Sequence, residues 1–200
     1  MLVFWKEKLV LFAVPKTGTT ALEGALAPRA SMVIRDPAIA KHTPVYRFRR
    51  FLRPYFEALE PGVTFETVAV IREPESWLGS WWRYRSRPDL DGHRNSTRDV
   101  SFEDFVEGYL SVEVPPFAQV GSQAKFLTRG VQEGPGVDRL YRYEALPRLY
   151  ADLEDRLGVR LDPPKLNVSP EREAVLSEDT RARMRRKLRK EYRLWEAALH

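Results

Sequence analysis

The chain has 200 residues, no cysteine and three histidines. That length suits one α/β domain with its own buried core, and the missing cysteine rules out disulfides and thiolate–metal sites and fits a cytoplasmic protein. No apolar run approaches the ~20 residues of a membrane span, and Lys6, Glu7 and Lys8 interrupt the amino-terminal apolar stretch in a way no signal peptide does. The formal charge of +5 is concentrated in residues 181–200, where eight Lys/Arg face two Glu, so the rest of the chain is near neutral and does not present a nucleic-acid-binding surface.

In chain order, residues 8–14 form an apolar run that reads as a strand, followed by a loop at 15–20 and a helix to about residue 27. Residues 31–34 read as a short strand broken by Asp36-Pro37. Apolar residues at 48, 51, 52, 55, 56 and 59 mark a helix over 46–59, closed by Pro61-Gly62. Residues 65–71 are short, β-branched and apolar, the pattern of a parallel strand buried on both faces.

A tryptophan-rich helix is predicted over 75–85, then a polar loop over 86–100. Ser101 opens a capped helix that runs to residue 110. A short helix is expected at 123–127, a glycine-containing turn at 130–136, a strand at 137–143, and a helix at 146–157 closed by Gly158. Pro163-Pro164 opens an irregular segment to Pro170, and one helix is predicted over 178–199. Strands alternating with helices predict a single α/β domain over 1–200, with a mainly parallel central sheet flanked by helices. The segments 15–20, 36–42 and Arg72 would then gather at the carboxyl edge of that sheet, where such sheets bind ligands.

The loop reads Pro15-Lys16-Thr17-Gly18-Thr19-Thr20. A strand, a tight loop and a helix start form an anion site from backbone N–H groups and the helix dipole, and Lys16 adds a full charge. The lysine precedes the glycine, so the GxxxxGK[ST] order of a Walker A loop is absent. A plainer alternative has Gly18 making a turn, Thr17 or Thr19 capping the helix, and Lys16 solvated. A second constellation follows the 65–71 strand: Arg72-Glu73-Pro74, then Ser80 eight positions beyond Arg72. Two helical turns carry Ser80 back toward the arginine, and a guanidinium and a hydroxyl can together hold one phosphate.

Pro-Lys-Thr-Gly-Thr-Thr resembles the 5′-phosphosulfate loop of sulfotransferases that use 3′-phosphoadenosine 5′-phosphosulfate (PAPS). Arg72-x-Pro followed by Ser80 resembles their 3′-phosphate motif, with Glu73 where Asp or Asn is commoner. Gln123-Ala124-Lys125-Phe126-Leu127, the run from Asp138 to Leu146 with Glu144, and Leu166-Asn167-Val168-Ser169 are similar to patterns of the bacterial carbohydrate-type members. The resemblance implies a P-loop-like sulfotransferase fold and sulfuryl transfer from PAPS to a hydroxyl, less readily an amine, of a small-molecule or glycan acceptor.

The resemblance also implies the roles of the residues. Lys16, Thr17, Gly18, Thr19 and Thr20 would hold the 5′-phosphate, Lys16 would stabilise the leaving oxygen, and Arg72 and Ser80 would bind the 3′-phosphate. No metal is implied. His42 is the preferred general base, with Asp36 and Glu23 as rivals. The basic last helix either docks by its apolar stripe or attracts an anionic acceptor. Two other readings stand beside this one: a kinase-like P-loop phosphotransferase, and a non-catalytic module that binds adenosine 3′,5′-bisphosphate.

Overall fold

The computed structural model of the chain describes residues 1–129, 134–162 and 172–200. The predicted turn at 130–136 falls mostly outside them, and the 163–170 segment with Leu166-Asn167-Val168-Ser169 falls wholly outside.

The chain forms strands β1 (Leu2–Phe4), β2 (Leu9–Leu11), β3 (Met32–Val33), β4 (Glu66–Ile71) and β5 (Arg139–Arg142). Its helices are α1 (Thr19–Leu26), α2 (Ala38–Lys41), α3 (Val45–Arg47), α4 (Arg53–Leu59), α5 (Pro74–Arg85), α6 (Phe102–Leu110), α7 (Gln123–Leu127), α8 (Leu146–Leu157), α9 (Glu178–Lys187) and α10 (Arg189–Glu196). A π-helical segment, Phe48–Leu52, joins α3 to α4. Packing divides the chain into two compact units: Met1–Arg72, Ser122–Leu166 and Arg193–His200 make the first, and Glu73–Gly121 with Asn167–Tyr192 make the second.

The first unit carries the sheet, in the order β3-β1-β2-β4-β5. β2, β4 and β5 are parallel neighbours, whereas β1 is antiparallel to both β2 and β3. The sheet is therefore mixed, a correction to the mainly parallel sheet that the sequence predicts. The cause is a hairpin. Leu2–Phe4 is as buried as β2 and folds back onto it through a turn in which Lys8 N–H donates to the Trp5 carbonyl. That turn contains no glycine, asparagine or proline, so it lacks the usual hairpin signal.

Alternate strand residues pack on opposite faces. Val3, Val10, Ala69, Ile71 and Leu140 meet Val45, Phe48, Phe56, Phe126 and Leu194 on one side. Leu2, Leu9, Leu11, Val68 and Val70 meet Leu22 and Leu26 of α1 and Leu149 and Leu153 of α8 on the other. Cover on both faces explains why β2 and β4 read as continuous apolar runs. The predicted final helix is in fact two, broken at Leu188. Beyond α10 the backbone straightens: Leu199 N–H donates to the Leu140 carbonyl and Arg142 N–H to the Leu199 carbonyl. That pairing occupies the edge of β5, which would otherwise leave backbone groups unmatched.

The second unit is helical. Trp77, Leu78 and Trp82 of α5, Phe102 and Phe105 of α6 and Met184 of α9 form its core. Arg85 is buried there, with its guanidinium donating to the carbonyls of Pro116, Phe117 and Gln119. Ser101 caps α6 by accepting from Asp104 N–H, as the sequence predicts.

Candidate anion-binding and transfer site

The site begins where β2 ends. Lys16 and Gly18 both have positive φ, 65° and 76°, so the chain turns sharply between β2 and α1. Glycine adopts that conformation freely; a lysine does so at a cost of roughly 1 kcal/mol, the kind of strain that concentrates at functional loops. Thr17 is fully buried, and its hydroxyl donates back to the Val14 carbonyl at 2.9 Å. The Thr19 hydroxyl donates to the same carbonyl at 3.4 Å.

Neither threonine caps the helix. The N-cap is Gly18, which offers no side-chain acceptor, and the first turn of α1 contains no carboxylate. The leading N–H groups of α1 thus have no side-chain cap and no carboxylate within the first turn, a setting that favours an anion. Of the plainer alternative, the turn at Gly18 is present, but Thr17 or Thr19 as an ordinary cap is not.

Arg72 follows β4 directly and is held on three sides. Gln123, 1% exposed, brackets its backbone: Arg72 N–H donates to Gln123 Oε1 at 3.0 Å, and Gln123 Nε2 donates to the Arg72 carbonyl at 2.8 Å. The guanidinium carbon lies 4.3 Å from the ring centre of Tyr143, a cation–π contact. Arg72 Nη1 donates to the Lys16 carbonyl oxygen at 3.4 Å. Tyr143 also backs the loop, because a Cβ built on Gly18 would stand 3.4 Å from its ring. Arg72, the first residue of the second motif, therefore meets the Lys16 loop.

His42 follows α2 and faces the same edge. Its Nδ1 lies 2.7 Å from the Ala13 carbonyl oxygen. A carbonyl only accepts, so Nδ1 carries the proton and the neutral ring presents Nε2 as a base. Burial pulls the pKa of His42 below its ordinary value of 6.5, with Lys41 adding to the effect and the Ala13 bond and Glu23 opposing it. The ring is neutral at neutral pH.

The rival bases are placed differently. Glu23 is buried and ion-paired to Lys41 at 2.9 Å and to Arg35 at 2.5 Å. Burial works to raise its pKa, but the bonds to Lys41 and Arg35 outweigh it and hold the carboxyl below its usual range. A carboxylate so clamped is a poor proton acceptor. Asp36 is exposed.

Thr20 is exposed, beside the uncapped helix start. Ser80 lies on α5, half-buried, in the second unit. Glu73 caps that helix, accepting from Ser76 N–H at 2.7 Å. The departure from the usual Asp or Asn thus retains a capping carboxylate. Sequence reasoning treats Gln123 only as part of a pattern and gives Tyr143 no role; the structure puts both against Arg72. Among the described residues no group of three or more His, Asp or Glu could hold a metal ion, and no helix is long and apolar enough to cross a membrane. In comparisons with family models, curated proteins and solved structures, nothing matches this chain.

Proposed function

We propose that this chain is a cytoplasmic PAPS-dependent sulfotransferase that moves a sulfuryl group to the hydroxyl of a carbohydrate-type acceptor and releases adenosine 3′,5′-bisphosphate. The observation that carries the reading is the bond from Arg72 Nη1 to the Lys16 carbonyl. It supports the reading by tying Arg72 to the loop before a helix start with no side-chain cap.

In this reading the uncapped N–H groups of α1 hold the 5′-phosphate, with Thr20 beside them, and Lys16 neutralises charge on the bridging oxygen as the S–O bond breaks. The buried Thr17 hydroxyl shapes the loop by its bond to Val14 instead of touching the ligand. Arg72 supplies a guanidinium for a second phosphate, and the sequence motif adds Ser80 to that role. The acceptor oxygen attacks sulfur and gives its proton to His42 Nε2, while the S–O electron pair leaves with the phosphate. Charge spreads over the group in flight as in phosphoryl transfer, so fixed donors do most of the catalytic work and the reading requires no metal.

The test is incubation of the purified protein with ³⁵S-labelled PAPS and a panel of sugar, phenol and amine acceptors. Labelled product that is lost in Lys16→Ala and persists in chelator supports the proposal. Magnesium-dependent transfer from a nucleoside triphosphate would replace it with the kinase-like reading. Tight binding of adenosine 3′,5′-bisphosphate with no transfer to any acceptor would leave a binding module.

A further inference from the structure

The opposite edge of the sheet carries a feature that sulfuryl transfer does not use. A cavity of about 230 Å³ opens between the α3–α4 segment and the starts of β4 and β5. Phe48, Phe56, Val63 and Phe65 supply its apolar wall, and Arg49 and Arg53 also line it. It is smaller than the ~300–1,000 Å³ of pockets for drug-sized ligands, so it admits a compact molecule. Thr67, on its lining, precedes Arg72 by five residues along β4, which at about 3.3 Å per residue puts the two roughly 16 Å apart.

The charges here are unbalanced. Arg49 is half-buried, and its pKa is lowered first by burial and then by the positive charges of Arg129 and Arg53, with Asp138 opposing. Among the described residues, none of these three arginines forms an ion pair. Asp138 is the nearby carboxylate, and its Oδ2 is occupied by Thr67, accepting from the backbone N–H at 2.8 Å and from the hydroxyl at 2.6 Å. Among the described residues, the cavity is lined by two arginines, Arg49 and Arg53, and one carboxylate, the anchored Asp138, an excess of positive charge beside an apolar wall.

We propose that this cavity is a second anion site, separate from the Lys16 loop, that takes a small acid with an apolar body, such as an aryl or short-chain sulfonate or carboxylate. The body lies against Phe48, Phe56 and Phe65, and the oxyanion pairs with Arg49 and Arg53. Guanidinium forks suit such planar or tetrahedral oxyanions. The inference does not depend on the sulfotransferase reading, since it uses none of the same residues.

Calorimetric titration at low salt tests it, with benzenesulfonate as the probe, inorganic sulfate as the head alone and benzyl alcohol as the body alone. Benzenesulfonate is expected to bind at one site, more tightly than either control. Binding should weaken by about tenfold or more in Arg49→Gln and in Arg53→Gln, the equivalent of one charge-assisted hydrogen bond. It should be unchanged in Lys16→Ala and in saturating adenosine 3′,5′-bisphosphate. Arg53 is exposed, so its replacement leaves the fold intact, and a thermal melt checks Arg49→Gln. The proposal is overturned by no saturable binding at millimolar probe, by equal binding in both arginine variants, or by sulfate binding as tightly as benzenesulfonate. Competition by the bisphosphate would also overturn it, by putting the probe on the loop.

Discussion

Arg72 donates from Nη1 to the carbonyl oxygen of Lys16, 3.4 Å away, across 56 residues of sequence. One residue follows β4 and the other lies in the loop after the neighbouring parallel strand β2, so strand pairing alone brings them to one edge. In the proposed reading the two divide the work: Arg72 would act on the bound nucleotide as a whole, and Lys16 on the charge that develops during transfer. Arg72→Ala should therefore weaken binding of adenosine 3′,5′-bisphosphate by about 10- to 100-fold, as expected for losing a charged hydrogen-bond donor. Lys16→Ala should instead lower kcat by about 10²- to 10³-fold, the scale seen when one transition-state donor is removed. Equilibrium binding and steady-state kinetics on the two variants separate the effects. An Arg72 variant with unchanged nucleotide affinity would detach it from the site.

The positive φ of Lys16 gives a sharper test of that lysine. Replacing it with glycine relieves backbone strain of roughly 1 kcal/mol while deleting the side chain. Lys16→Gly should thus match or exceed the parent in urea unfolding and still lose transfer activity. Gly18→Ala should do the reverse for stability, costing about 1–2 kcal/mol, because φ is +76° there and an L side chain is strained in that region. A destabilised Lys16→Gly would mean that the side chain supports the fold and that the strain is not set aside for function.

What the sequence makes legible follows from the range of each interaction. β4 and α8 are readable because a buried strand and an amphipathic helix write their period into neighbouring residues. The caps at Ser101 and Gly158 are readable because they act within one turn. The β1–β2 hairpin is not, because Lys6-Glu7-Lys8 make a turn that burial of Leu2–Phe4 enforces without any turn residue. The break at Leu188 is hidden for a similar reason: the helical pattern continues past it, and Leu199 is drawn out of the helix by β5. At the site, the loop and Arg72 stand out as residue types at a spacing. Gln123 does not, since its partner lies 51 residues away and nothing local marks a glutamine as a backbone clamp.

That clamp makes Gln123 a positioning residue with a specific signature. Its amide supplies both an acceptor and a donor, matching the N–H and C=O of Arg72. Gln123→Leu fills similar space but leaves both backbone groups unpaired at a buried position, a loss of about 1–3 kcal/mol. Gln123→Glu keeps the acceptor and loses the donor. Both should lower the unfolding midpoint, and both should weaken binding of adenosine 3′,5′-bisphosphate because Arg72 is no longer held. A purely structural glutamine would lower the midpoint and leave nucleotide affinity unchanged in the folded fraction, so calorimetric titration well below the midpoint distinguishes the two.

In the proposed reading, His42 links burial to pH in activity as well as in stability. The Ala13 carbonyl fixes the proton on Nδ1, so Nε2 can accept a proton only while the ring is neutral. Because burial holds its pKa below 6.5, kcat should already be at its plateau at neutral pH and fall on an acid limb whose inflection lies below 6.5. His42→Asn should lower kcat by about 10²- to 10⁴-fold and abolish that limb. Stability follows the same sign. The native ring resists protonation more than the unfolded one, so the unfolded state binds more protons as pH drops below 6.5. The His42 contribution is complete above 6.5 and is lost as pH falls through the lower native value. Urea titrations across that window should show a steeper acid decline in the parent than in His42→Asn. An acid limb that survives unchanged in the variant would assign the proton transfer to another group.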